Sequence, residues 1–107
     1  MSAGKIRELN DRFRTTMSGG RVMLTAGVDA LPSDVKAMVI RRVATFSEFT
    51  PENDPHGEHD FGSFTVAARK FFWKIDAHDA DMRYGSEDPA DPSKSTRVLT
   101  IMLAEEY

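Results

Sequence analysis

The sequence has no cysteine among its 107 residues. Disulfide scaffolds, thiolate zinc sites, iron–sulfur clusters and cysteine nucleophiles are therefore excluded, and any metal would need nitrogen and oxygen ligands. No run of apolar residues approaches the roughly 18 that a membrane-spanning helix needs. No apolar stretch of signal-peptide length follows the polar start Met1–Arg7. We therefore expect a cytoplasmic protein with no membrane partner.

The balance of apolar and charged residues excludes disorder of the whole chain. Hydrophobic residues make up 40% of the sequence and charged residues 29%, which is typical of globular proteins. A length of 107 residues is near the most common size of one domain. The composition thus predicts a single domain over residues 1–107.

The formal net charge of −3 is unevenly distributed along the chain. Residues 1–50 contain eight basic and five acidic side chains, whereas residues 51–91 contain four basic and ten acidic ones. A nucleic-acid-binding protein usually presents a strongly basic surface. Nucleic acid is therefore not a favoured partner.

Two amphipathic helices and one short strand are predicted in the first half of the chain. Ile6, Leu9 and Phe13 have helical spacing within residues 3–16. A short strand over residues 21–25 follows two glycines, and residues 26–28 are its predicted exit turn. Pro32 and Ser33 predict the start of a second helix, which extends to about residue 48.

Three strands are predicted in the second half. Residues 60–67 and 70–78 alternate in polarity and are expected to form an antiparallel hairpin. Residues 96–104 are apolar on both alternating faces, which is typical of a central strand or of one at an interface. The predicted order is α-β-α-β-β-β. We therefore expect an α+β fold, a two-layer sandwich with helices on one face of a mainly antiparallel sheet.

Several motifs of the chain together resemble a known family. They are Leu24–Val28, Asn53–Gly62, Trp73–Asp76, Ser86–Pro92 and the ending Thr96–Tyr107. The chain is similar in these motifs to the domain of unknown function 3768 family, a group of small bacterial proteins. The resemblance covers residues 10–107 and implies no particular activity. It implies that a shared site would involve the matching positions Asn53, Asp54, Glu58, His59, Asp60, Trp73, Lys74 and Asp76.

Glu58, His59 and Asp60 are three consecutive potential ligands in a polar loop. The strand predicted to pair with the end of this loop carries Asp76. A hydrolytic zinc, manganese or magnesium centre needs a few nitrogen or oxygen ligands and one open position. One hypothesis is therefore a metal-dependent hydrolase acting on phosphodiesters, such as a phosphodiesterase or a nuclease. In it the metal ligands are His59, Asp60 and Asp76, and Glu58 is the general base.

The same residues have a structural alternative. Asn53 and Asp54 are suited to side-chain turns before Pro55, and His59 is suited to orientation by a carboxylate. Lys74 lies two residues from Asp76 on one strand face. This pair is either an acid–base pair in which Lys74 is catalytic or an exposed salt bridge, which is commoner.

The sequence contains no complete catalytic constellation. We therefore expect a non-enzymatic accessory or interaction protein that binds a macromolecule or forms a homodimer, and that needs no cofactor. The acidic loops and the sheet edge are its expected binding surface, and the candidate binding residues are Asn53, Asp54, His59, Asp60, Trp73 and Asp76. Hairpin pairing further predicts one polar site, in which His59 or Asp60 lies close to Asp76 or His78.

Overall fold

A computed structural model describes residues 2–107, and within them the chain forms three α-helices and one four-stranded sheet. The helices are α1 (Ser2–Thr16), α2 (Ala26–Asp29) and α3 (Ser33–Ala44), followed at the end by a 3-10 helix (Ala104–Glu106). The strands are β1 (Arg21–Leu24), β2 (Phe61–Val66), β3 (Arg69–His78) and β4 (Thr96–Leu103). The α+β class is confirmed. Within the described residues, no helix has both the length and the apolar character needed to cross a membrane.

The sheet is mixed, and the prediction of a mainly antiparallel sheet is wrong. The strand order is β1-β4-β3-β2, and β1 runs parallel to β4 while β3 is antiparallel to both of its neighbours. A parallel pair needs a long crossover between its strands, and residues 25–95 provide it. The pattern of apolar residues in β1 does not indicate which strand β1 pairs with. The parallel direction of β1 relative to β4 was therefore not predicted.

A short helix, α2, replaces the exit turn predicted at residues 26–28. Its first turn is stabilised from the other end of the chain by the Glu106 carboxylate. This group accepts hydrogen bonds from the Thr25 hydroxyl at 2.6 Å, the Gly27 N–H at 2.8 Å and the Leu103 N–H at 2.9 Å. The Thr25 hydroxyl is the largest cause that lowers the pKa of Glu106, followed by the two backbone donors. The predicted order α-β-α-β-β-β lacks this helix because its cap comes from a distant residue.

The hairpin of β2 and β3 forms with the expected antiparallel pairing. Phe61 lies opposite Lys74, and Val66 lies opposite Arg69. Ala67 and Ala68 form the connecting turn, and both have left-handed backbone angles, with φ of 53° and 61°. Two-residue turns of this kind match the twist of a hairpin. Alanine is strained in this region compared with glycine or asparagine, so the pairing of the strands outweighs the turn residues.

The core lies between the helices and one face of the sheet. β4 is a central strand, as its apolar faces predicted, and its Leu99, Ile101 and Leu103 belong to the core. From β3 the core receives Phe71, Trp73 and Ile75, and from the helices it receives Phe13, Val28, Val39 and Val43. α3 ends at Ala44 rather than near residue 48. The two-layer description and the single-domain assignment stay predictions.

Replacing Gly62 by alanine should destabilise the fold. A Cβ atom at Gly62 would overlap the indole of Trp73 and lie 2.9 Å from Cζ of Phe46, and both are buried aromatic rings that cannot move aside. Overpacking of this kind costs about 1–3 kcal/mol, which urea denaturation would measure. Gly85→Ala is the control, since a Cβ there meets no atom within 4 Å. Equal stability of the two variants would contradict the close packing of Gly62 against Trp73 and Phe46.

Candidate functional site

Asn53 closes a turn within the loop of residues 50–60. Its Oδ1 accepts the Thr50 N–H at 2.9 Å, its own N–H donates to the Thr50 hydroxyl at 3.2 Å, and its Nδ2 donates to the Glu48 carbonyl at 2.9 Å. These bonds fit the side-chain turn that was the structural alternative. The side-chain amide of Asn53 is therefore occupied inside the loop.

Asp54 is a buried carboxylate that orders the second half of the loop. Its Oδ1 accepts the backbone N–H of His59 at 3.1 Å, and its Oδ2 lies 3.5 Å from His59 Nε2. His59 has a left-handed φ of 53°, which non-glycine residues seldom adopt. The bond from Asp54 stabilises this backbone turn just before β2.

The imidazole of His59 contacts α1. Nδ1 lies 2.9 and 3.0 Å from the two oxygens of Asp11. The ring also stacks on Phe49, with a centroid separation of 3.6 Å and an angle of 2°. Both ring nitrogens thus have carboxylate neighbours, Asp11 and Asp54. In the described residues, the hydrogen bonds and ion pairs of the His59 ring are with Asp11 and Asp54, and not with Asp76 or His78 as expected.

Arg14 and Asp11, which the sequence analysis did not single out, complete this cluster. Arg14 is buried, pairs with Asp11 Oδ1 at 3.0 Å, and donates to the carbonyls of Val43 and Phe46 at 2.8 and 3.0 Å. Val43 lies in the last turn of α3, where a helix lacks internal donors, and Phe46 lies two residues beyond the end of this helix. The sequence contained a signal that Arg14 is buried. Asn10 and Arg14 follow Ile6 at intervals of four residues and so lie on the apolar stripe of the helix.

Trp73 lies in the core, which corrects its assignment as a binding residue. Its side chain is 0% exposed, and the ring lies 5.5 Å from that of Phe46 and 6.2 Å from that of Phe49. Alternation along β3 places residues 71, 73 and 75 on the side that faces the helices. In the folded protein Trp73 cannot contact a partner.

Lys74 and Asp76 form an exposed ion pair. Lys74 Nζ lies 2.9 Å from Asp76 Oδ2, and the two side chains are 40% and 45% exposed. Such pairs contribute little to stability in water. This geometry is that of a surface salt bridge, which is the commoner of the two interpretations of the pair.

Asp60 and Glu58 line a cavity of about 200 Å³ between α1 and the sheet, together with Asp76. The Asp60 carbonyl accepts the Ile75 N–H at 2.8 Å and so continues the hairpin ladder by one residue. Burial is the largest cause that raises the pKa of Asp60, and the neighbouring charges of Asp54 and Asp76 add to the effect. Asp60 and Asp76 thus line the same cavity, which His59 does not line, and the single polar site expected from the hairpin stays a prediction.

The far wall of this cavity is formed by Asn10 and Arg97. Asn10 Nδ2 donates to the Glu58 carbonyl at 2.9 Å, and Arg97 Nε donates to Asn10 Oδ1 at 2.7 Å. Arg97 Nη2 also donates to the carbonyl of Pro89. Neither Asn10 nor Arg97 was singled out from the sequence, where a polar residue on an apolar stripe or strand was the available signal.

The described residues contain no assembled metal centre. Within residues 2–107, no three histidine, aspartate or glutamate side chains are placed to hold one ion. His59 faces Asp11, Asp60 lines the cavity, and Asp76 pairs with Lys74. The ligand set His59, Asp60 and Asp76, with Glu58 as base, stays a prediction without support from this geometry.

Asp60→Asn should stabilise the protein at neutral pH. Because the pKa of Asp60 is raised in the folded state, its ionised form opposes folding. The stability linked to its proton is present below the unfolded pKa of about 3.9 and is lost as the pH rises through the folded pKa. Urea midpoints measured between pH 3 and pH 8 should show the gain of the variant growing with pH.

Asp91→Asn is the matched control for this measurement. A hydrogen bond from the Ser93 side chain lowers the pKa of the exposed Asp91, so that replacement should give no gain at neutral pH. An Asp60→Asn variant that is no more stable than the wild type at pH 7 would contradict the assignment.

Asp11→Asn should destabilise the fold by about 1–3 kcal/mol, because the buried guanidinium of Arg14 loses the carboxylate that compensates its charge. Thermal denaturation would measure the change. Glu8→Gln removes an exposed carboxylate of the same helix, which pairs with Arg12 at 3.4 Å, and should cost less than about 0.5 kcal/mol. Equal costs at the two positions would show that Arg14 does not depend on Asp11.

Comparisons with known proteins agree with the resemblance carried by the sequence motifs. A family model described as "Protein of unknown function (DUF3768)" matches residues 24–106, which is most of the chain. Neither the curated proteins nor the solved structures give a match. The matched region includes the loop of residues 50–60, the hairpin, β4 and Glu106. The chain belongs to the DUF3768 family.

Proposed function

We propose that this protein is an interaction protein that forms a homodimer through the free edge of β1. One observation carries the proposal: the backbone groups of Val22 and Leu24 point away from the sheet, beside the exposed side chain of Met23. Edge strands with free N–H and C=O groups are templates for pairing with another chain.

The outward direction of these groups follows from the pairing of β1 with β4. The Thr25 N–H donates to the Ile101 carbonyl at 3.1 Å. Backbone groups of successive residues in a strand point alternately to opposite neighbours. Arg21, Met23 and Thr25 therefore face β4, whereas the N–H and C=O groups of Val22 and Leu24 face the open edge.

The opposite edge of the sheet is partly covered. Arg42 Nη1 donates to the Thr65 carbonyl of β2 at 3.2 Å, and its guanidinium lies 5.3 Å from the ring centroid of Phe64. Charged side chains at an edge hinder pairing with other strands. Within the part of the chain that the structure describes, no side chain forms a hydrogen bond with a backbone group of β1. Strand addition is thus favoured at β1.

A second copy is a chemically suitable occupant of this edge. In an antiparallel pair centred on Met23, Val22 lies opposite Leu24 of the second copy, and the two Met23 side chains lie opposite each other. Val22 and Leu24 would exchange four backbone hydrogen bonds, two at each end of the pair. Every facing pair of these three residues is apolar, and Arg21 would face Thr25 rather than another charge.

The exposure of β1 supports the same conclusion. Val22 is 37% exposed and Met23 is 53% exposed, although both are large apolar residues. A pairing with two-fold symmetry uses one patch twice and closes at two subunits. It would join the two sheets into one of eight strands and cover these side chains.

Met23→Lys should convert the dimer to a monomer. Two lysine ammonium groups would lie opposite each other at the centre of the pair, where like charges are destabilising. Size-exclusion chromatography with light scattering should give the wild type a molar mass of twice the 12.0 kDa of one chain. The variant should have the mass of one chain. Met38→Lys is the matched control, because Met38 on α3 is 52% exposed, and it should remain dimeric.

A pair of proline variants separates edge pairing from folding. Val22→Pro removes an N–H that faces the open edge, so it should give a folded monomer. Met23→Pro removes an N–H that faces β4, so it should also damage the sheet, as circular dichroism would show. A wild type that is monomeric at all concentrations, or a Val22→Pro variant that still dimerises, would overturn the proposal.

A further inference from the structure

Arg97 is a buried cation without an anionic partner among residues 2–107. Its side chain on β4 leaves the residue 5% exposed, and no carboxylate oxygen of the described residues lies within 4.0 Å of its guanidinium. Arg14, the other buried arginine, has Asp11 at 3.0 Å. Buried charges are usually paired, because removing them from water is costly. The charge of Arg97 therefore lacks its usual compensation.

The hydrogen bonds of Arg97 leave part of the guanidinium available. Nε and Nη2 donate to the neutral oxygens of Asn10 and Pro89. In the described part of the chain, the fully enclosed side-chain nitrogens without a partner are Arg14 Nε and Trp73 Nε1. The Nη1 donors of Arg97 thus reach accessible space. Arg97 lines the cavity described above together with Asn10 and Pro89, and it also lines a second cavity together with Arg12 and Phe13.

The opposite wall of the cavity is anionic. Asp60 lies opposite Ile75 in the ladder, and Arg97 lies opposite Ala77. With strands about 4.8 Å apart and about 3.3 Å per residue, the backbones of Asp60 and Arg97 are separated by about 12 Å. Both side chains line the space between them. The Asp60 carboxylate is itself short of compensation, since burial raises its pKa.

We propose that this cavity binds a small zwitterion, whose carboxylate pairs with Arg97 and whose ammonium group pairs with Asp60. A free α-amino acid with a short side chain belongs to this class. A volume of about 200 Å³ corresponds to about six or seven water molecules at roughly 30 Å³ each. This space is larger than glycine or alanine alone would fill, so either would enter with bound water. Ile6 and Ile75 line the same cavity and would contact the aliphatic part.

Simpler ligands leave one wall uncompensated. A plain carboxylate would pair with Arg97 but would face Asp60 and Glu58, which are repulsive to it. A plain ammonium ion or a metal cation would pair with Asp60 but would face Arg97. A zwitterion offers a partner to both walls, and a charge-assisted hydrogen bond at each end would fix its orientation.

The test uses the intact protein, isothermal titration calorimetry and amide NMR spectra. Alanine and glycine are the probes, and acetate and methylammonium at equal concentrations are the single-charge controls. The zwitterions should give saturable shifts of the Asn10 side-chain amide and the Ile75 amide. Acetate and methylammonium should bind at least about tenfold more weakly.

Asp60→Asn keeps the test interpretable, because that variant is expected to fold at least as well as the wild type. It should weaken alanine binding by at least about tenfold and strengthen acetate binding, because the charge of Asp60 that repels acetate is removed. Asp91→Asn, at an exposed carboxylate away from the cavity, should bind alanine like the wild type. No saturable shift with either amino acid would overturn the proposal. So would acetate binding as tight as alanine binding, or an unchanged affinity in Asp60→Asn.

Discussion

The guanidinium of Arg14 lies where α1, the end of α3 and the loop of residues 50–60 meet. It donates to the carbonyls of Val43 in α3 and of Phe46 just after α3, and it pairs with Asp11, which in turn holds the imidazole of His59. It also lies 5.4 and 5.0 Å from the ring centroids of Phe49 and Trp73. Because a buried charge must keep its partners, these contacts fix the three segments together. The cavity beside them takes its shape from the same contacts, since Glu58 and Asp60 flank His59 in the chain.

A second constraint joins the two ends of the family match. The matched region, residues 24–106, begins at the end of β1 and finishes at Glu106. Glu106 accepts hydrogen bonds from Thr25 and Gly27, and β1 pairs with β4 in the same place. The Leu24–Val28 motif and the final residues, which are distant in sequence, are therefore two halves of one structural contact. This contact gives both motifs a structural role in the fold.

Local patterns predicted the elements that depend on neighbouring residues. Alternating polarity located the hairpin of β2 and β3, and apolar faces on both sides located β4 in the centre of the sheet. Contacts between distant segments were not predictable from such patterns. α2 depends on a carboxylate from the far end of the chain, and the parallel direction of β1 depends on the crossover. In the candidate site, Asp60 was found from the sequence, whereas Arg97 was missed, although a charged residue within an apolar strand was an available signal.

The pairing of β1 with β4 has a consequence for the synthesis of the chain. β1 leaves the ribosome before its partner residues 98–101, because residues 25–97 are made between them. Until then, β1 has two open edges instead of one, and its apolar residues have no sheet to join. Contacts between residues so far apart in sequence also form slowly. In the cell, the nascent chain therefore passes through a period in which chaperones or neighbouring nascent chains can reach this segment before its own sheet does.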